Sequence, residues 1–182
     1  MKSVLISIQP KWVDKIACGE KTIEVRKTRP KLKTPFKCYI YETQAKYKTR
    51  LLGLDCVCQG RGKVIGEFVC KRIDNYECEL WNDEAYELIR QFDYDEYGEI
   101  EYEHGAENNE NCEMLNKACL TWQDIRKYLG QGLNNCYAWH ISDLKIYDKP
   151  KELSEFRKYS EWLDIPMTRP PQSWCYVQSL GE

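Results

Sequence analysis

The sequence predicts an α+β domain: a small, partly closed β barrel with short flanking helices and a helical acidic insertion. Three observations carry that expectation. Stretches of alternating apolar and polar residues recur towards both ends of the 182-residue chain. Short helical patterns between them carry recognisable start and stop signals. The middle of the chain is acidic and too poor in apolar residues to build a core alone.

In chain order, Val4 to Gln9 alternates apolar and small polar residues and reads as a half-buried strand. Pro10 opens a short helix from Lys11 to Cys18, with Trp12, Val13 and Ile16 on one side and Gly19 as its stop. Lys21 to Lys27 is the next strand; Ile23 and Val25 face the core, which leaves Thr22, Glu24 and Arg26 together on the other face. Phe36 to Thr43 is a third strand, rich in β-formers. Gly62 to Ile73 is a fourth, where Gly66 marks a bulge or a close backbone approach. Trp81 to Phe92 spaces Ala85, Leu88, Ile89 and Phe92 at helical intervals behind acidic residues, so a helix is expected. Tyr94 to Asn111 is polar and unpatterned, as a loop would be. Thr121 with Asp124 makes a capping-box start, Leu120 and Ile125 can staple it, and Gly130 ends that helix. Cys136 to Tyr147 and Trp174 to Gln178 are strand patterns; Pro150 to Phe156 suggests a short helix or turn and Pro166 to Pro171 a rigid loop.

The expected organisation is a single domain, 1–182, with barrel core 1–73 and 131–182 and a partly helical acidic insertion at 74–130. No apolar run is long enough to span a bilayer, and the N-terminal stretch is broken by Gln9-Pro10-Lys11 without a small-residue cleavage site. A cytoplasmic location and no membrane partner are therefore expected. The ten cysteines then read as reduced thiols. Without a Cys-x-x-Cys, and with His104 and His140 the only histidines, neither a metal site nor a cofactor is expected.

The net charge of −2 conceals a segregation. Residues 1–73 hold 17 basic and 6 acidic side chains, while residues 74–110 hold 14 acidic ones and Arg90. The basic end suits phosphate and the acidic stretch repels it. Six cations fall between Arg26 and Lys37, beside a strand and among prolines, a setting suited to phosphate contacts that hold a nucleic acid in register. A solvated loop is the alternative. Trp139, Trp174, Tyr41 and Tyr137 can stack unpaired bases or simply fill a small barrel. Trp139 stands beside His140, for which nothing nearby in sequence nominates a nucleophile. No phosphate-cradling glycine loop, nucleophile elbow or paired-histidine motif is present. Lys21 and Glu24 are the one suggestive pair: a base with a carboxylate relay, or a salt bridge that stiffens the strand start.

Gly19-x-Lys21-x-x-Glu24-x-Arg26 resembles the signature of the ASCH domain family. Ser7-Ile8-Gln9-Pro10 before it, and Tyr39 to Thr43 and Gly62 to Glu67 after it, match the family in order. Tyr137 to Ile141, Pro150 to Phe156 and Arg169 to Trp174 resemble its bacterial and phage versions. The resemblance implies a PUA-like barrel with a cleft beside the motif and a role in binding RNA or modified nucleotides. One bacterial branch deacylates N4-acetylcytidine with a lysine matching Lys21 and a threonine where this chain has Glu24; ribonuclease activity is also attributed to the family. The expected site is a basic cleft of Lys21, Glu24, Arg26 and Arg29, with Trp139 and Trp174 as further contacts and Lys21 open to solvent. RNA or a nucleotide is the expected partner, with DNA as a further possibility. The alternatives are a hydrolase that uses Lys21 and Glu24, the latter to activate water, and a protein-interaction module that docks through its acidic middle.

Overall fold

The computed structural model describes residues 1–51, 54–80, 86–91, 102–104, 112–130 and 135–181. In chain order these form β1 (Lys2–Ile8), α1 (Pro10–Ala17), β2 (Ile23–Arg26), β3 (Phe36–Glu42), β4 (Lys46–Leu51), β5 (Leu54–Gln59), β6 (Val64–Leu80), β7 (Tyr86–Gln91) and β8 (Tyr102–His104). Then follow α2 (Glu113–Ala118), α3 (Trp122–Leu129), β9 (Asn135–Lys151), a 3-10 turn (Leu153–Glu155), β10 (Arg157–Lys158), β11 (Ile165–Pro166) and β12 (Trp174–Gln178). The structure is mostly β-sheet with a few short helices. It divides into two compact units, residues 1–19, 35–70 and 141–182 in one, residues 20–34 and 71–140 in the other.

In the first unit β1 lies between β12, to which it runs antiparallel, and β3, to which it is parallel. It is buried along nearly its whole length, not half-buried as its alternation suggests, because Ser3 and Ser7 satisfy their hydroxyls inside. Ser3 Oγ pairs with the Ser179 hydroxyl at 2.7 Å and Ser7 donates to the Pro171 carbonyl at 2.6 Å. One face of the sheet is packed by Leu5, Tyr39, Tyr41, Val64, Phe156, Met167 and Val177. Gly66 meets both of its sequence expectations. The β3–β6 register slips between Ile40 and Tyr41, opposite it, and a Cβ at Gly66 would stand 2.5 Å from the Lys145 carbonyl oxygen. The hairpin of β4 and β5 forms a sheet of its own, in a stretch the sequence reading leaves unassigned. Helix α1 starts at Pro10, buries Val13 and Ile16, and ends before Gly19, whose φ of +81° is open to glycine at little cost. Pairing runs β11-β10-β12-β1-β3-β6, β6 pairs in turn with β9, and among the described residues no pairing returns to β11, so the expected partial closure into a barrel is not seen.

In the second unit β2 pairs antiparallel with the first residues of β9, from Ile23 opposite His140 to Arg26 opposite Tyr137. Ile23, Val25, Cys136 and Ala138 meet Met114, Leu115 and Ala118 of α2 and Trp122, Ile125 and Leu129 of α3 in one buried cluster. The acidic region thus completes its core with two strands from elsewhere in the chain, which its own apolar content requires. Helix α3 starts as its sequence predicts. The Asp124 amide donates to Thr121 Oγ1 at 3.2 Å, the Thr121 amide donates to Asp124 Oδ2 at 2.9 Å, and Gly130 ends the helix at φ +73°.

The helix expected over Trp81 to Phe92 is corrected: Tyr86–Gln91 is strand β7, antiparallel to Asn75–Leu80 of β6, and β8 adds to it within the expected loop. Residues 81–85, 92–101 and 105–111 lie outside the described residues. A short apolar run fits either period, and here the long edge of β6 offers a partner for every second backbone group.

Candidate nucleic-acid interface

The motif residues are organised around the ends of two helices. Just ahead of β2, the Thr22 amide donates to the Lys117 carbonyl at 2.9 Å, and Lys21 Nζ donates to the Ala118 carbonyl at 2.7 Å. Both acceptors are C-terminal carbonyls of α2 that have no partner inside the helix, and a cation there also complements the helix dipole. Lys27 does the same for α3: its Nζ donates to the Leu129 carbonyl at 3.2 Å and lies 5.1 Å from the centre of the Tyr128 ring.

Period-two geometry places Glu24 and Arg26 on one face of β2, and they meet there. Glu24 Oε2 is 3.3 Å from Lys21 Nζ, and Glu24 Oε1 is 2.9 Å from an Arg26 guanidinium nitrogen. One carboxylate thus bridges two cations. All three residues are buried, at 2% exposure for Lys21, 6% for Glu24 and 7% for Arg26. Lys21 is therefore not open to solvent as expected; it is drawn inwards by the α2 carbonyl and Glu24 together. Tyr128 of α3 belongs to the same group: burial pushes its phenol up, Arg26 opposes that and Glu24 adds to it. Nothing in the sequence pattern singles out Tyr128; its helix brings it to the motif.

Arg29 lies apart from this array. It is exposed and lines a pocket of about 410 Å³ with Lys31, Leu32, Lys33, Thr34 and Ile73. None of Lys21, Glu24 or Arg26 lines that pocket, so the single cleft expected of the four residues resolves into a buried ion-pair array and a separate basic pocket. Trp139 pairs with Glu24 across the strands and is wholly buried, which leaves no ring face for a base. Trp174 belongs to the other unit, half-buried on β12 in edge-to-face contact with Tyr176 at 5.4 Å. Tyr41 is buried in the first unit's core and Tyr137 is half-buried opposite Arg26. His140 Nε2 lies 2.7 Å from Asp74 Oδ2, the acceptor of that pair, and Arg72 reaches both residues. All ten cysteines are free thiols. Among the described residues no helix is long and apolar enough to cross a membrane.

Comparison of whole structures finds the crystal structure of ASCH from Zymomonas mobilis, with a TM-score of 0.56 and 18% identity over 97% of this chain and 87% of that one. Two single-substitution variants of the Zymomonas mobilis protein match similarly. One has a TM-score of 0.53 and 19% identity over 98% of this chain and 91% of its own. The other has a TM-score of 0.54 and 18% identity over 97% and 88%. At such identities the likeness establishes the fold. No curated protein sequence matches the chain. The model of the ASCH domain matches residues 6–118, more than half of the chain and a span that runs from β1 through the motif to the last residue of α2, and the chain belongs to the ASCH domain family.

Proposed function

We propose that this protein binds RNA or a modified nucleotide, holding phosphate at the pocket walled by Arg29, Lys31 and Lys33. The observation that carries this reading is the composition of that pocket: three cations, one hydroxyl from Thr34, two apolar side chains and no carboxylate. Such a wall attracts phosphate through charge and does not read sequence. The Lys21–Glu24–Arg26 array supports it as a rigid, charged foundation. One carboxylate between two cations leaves an excess of positive charge on the segment from Lys21 to Lys27, and the bonds to Ala118 and Leu129 hold the start and end of that segment against α2 and α3. DNA offers the same phosphates, so the preference for RNA rests on the family.

Titration of a labelled RNA at several salt concentrations tests this. Arg29→Ala is expected to weaken binding about evenly across sequences and to flatten the dependence of log K on log salt by about 0.7 on a single-stranded RNA. Superimposable slopes for parent and variant would return the basic pocket to a solvated surface.

The second reading is a hydrolase, and one observation favours it: Lys21 is sealed from solvent against Glu24, a setting in which a lysine–carboxylate pair can move a proton. Against it stands the bond from Lys21 to Ala118, which occupies the ammonium in a structural role. The assay is turnover of N4-acetylcytidine and of short RNAs by the parent and by Lys21→Ala. Binding without turnover is expected; hydrolysis that disappears in the variant would replace the binding reading.

A further inference from the structure

The hairpin of β4 and β5 stands as a sheet of two strands, in register from Lys46 opposite Gln59 to Leu51 opposite Leu54. At about 3.3 Å per residue its six-residue strands reach roughly 20 Å. Alternation gives it two unlike faces. Tyr47, Cys56 and Cys58 share the inner one and are half-buried. Lys46, Lys48, Asp55, Val57 and Gln59 share the other and are exposed, Val57 at 67%. The two lysines stand about 7 Å apart along one strand, and Arg50 follows two residues later in the sequence.

The ribbon is anchored at its base and on its inner face. Its last turn closes with the Gly60 amide donating to the Ala45 carbonyl at 3.1 Å, where a side chain on Gly60 would collide with the Thr43 carbonyl and Pro10. On the inner face the Tyr47 hydroxyl donates to Asp14 Oδ2 of α1, a bond that holds the phenol well above its ordinary range. The same anchors engage the nearby acids. Asp14 accepts from Tyr47, and Glu42 accepts from the Arg61 amide at 3.0 Å. Asp55 is then the one carboxylate on the outer face, against Lys46 and Lys48.

We propose that this ribbon is a second nucleic-acid contact, an arm that lies along a phosphate backbone with Lys46 and Lys48. The inference rests on the nucleic-acid reading above and adds a site to it. Lysines on an exposed ribbon also discourage edge-to-edge pairing between molecules; that role asks for charge alone, whereas a backbone contact asks for charge held at fixed spacing. The inner-face bond and the closed base supply the fixed spacing.

The test is anisotropy of a fluorescein-labelled single-stranded RNA of mixed sequence, titrated at four salt concentrations with the full chain. Three proteins are compared: the parent, Arg29→Ala, and Lys46→Gln combined with Lys48→Gln, which keeps the side-chain stems. Loss of two phosphate contacts is expected to flatten the salt slope by about 1.4 and to weaken binding most at low salt. If Arg29→Ala flattens the slope and the double variant superimposes on the parent, the arm is refuted and the basic pocket stands. If the parent binds no RNA at any salt, both fall. If the double variant alone flattens the slope, the arm stands and the assignment to Arg29 falls.

Discussion

Glu24 has one carboxylate oxygen for each of two cations, and its removal would leave Lys21 and Arg26 facing each other in a buried setting. Breaking a buried ion pair from one side costs about 3–5 kcal/mol, because the remaining charge has nothing to offset its desolvation. Glu24→Gln is expected to fall near the lower end, about 3 kcal/mol, since the amide keeps an acceptor for one cation. Equilibrium urea unfolding measures this; a loss below about 1 kcal/mol would show that solvent reaches the array. The meeting of Glu24 with Arg26 was legible from their spacing on a strand. Their burial was not, because it depends on the carbonyl of Ala118, 97 residues along the chain from Lys21. Tyr128 was hidden for the same reason.

Elements reveal themselves in the sequence where local chemistry decides them. The start of α3 was legible because a capping box needs only Thr121 and Asp124, three residues apart. The strand β7 was not, because its choice between helix and strand is made by pairing with Asn75–Leu80. Glu67 on β6 shows what such pairings hold together in the other unit. Its carboxylate accepts from Tyr147 of β9 at 2.6 Å and lies 3.3 Å from Lys37 Nζ of β3. Partial burial would raise its titration, but the Tyr147 hydroxyl and the Lys37 ammonium outweigh it, so the group titrates below an ordinary glutamate. A lowered folded value adds stability that is complete above the ordinary glutamate range, near pH 4.3, and is lost as pH falls through the lowered one. Glu67→Gln cannot titrate. The stability gap between parent and Glu67→Gln is therefore expected to be constant near neutrality and to close on acidification below about pH 4. Urea unfolding at stepped pH checks this; a gap that stays constant into acid would assign the effect of Glu67 to packing.

Over the whole molecule, the segregation of charge was legible by counting, while the division into two units was not. The boundaries at 19/20, 34/35, 70/71 and 140/141 run through both long strands, β6 and β9, and group the motif strand with the region expected to be an insertion. That grouping follows from Ile23 and Val25 closing a cluster with Met114, Leu115 and Ile125, and contacts across some ninety residues leave no periodicity to read. The counted charges still make a physical claim. The basic run from Arg26 to Lys37 and the 14 acidic residues of 74–110 belong to one chain. Charges act on an approaching polyanion over about 30 Å at 0.01 M salt and only about 8 Å at 0.15 M. Neutralising four of those acids, with Asp93→Asn, Asp95→Asn, Glu96→Gln and Glu99→Gln, should lower the repulsion that a phosphate chain meets as it approaches the protein. Association of RNA, followed by stopped flow, is expected to quicken several-fold at about 0.01 M salt and to converge on the parent rate by about 0.15 M, with dissociation little changed. An equal gain at both salt concentrations would mean that these side chains touch the bound RNA directly, and no gain at either would place them beyond the reach of its approach.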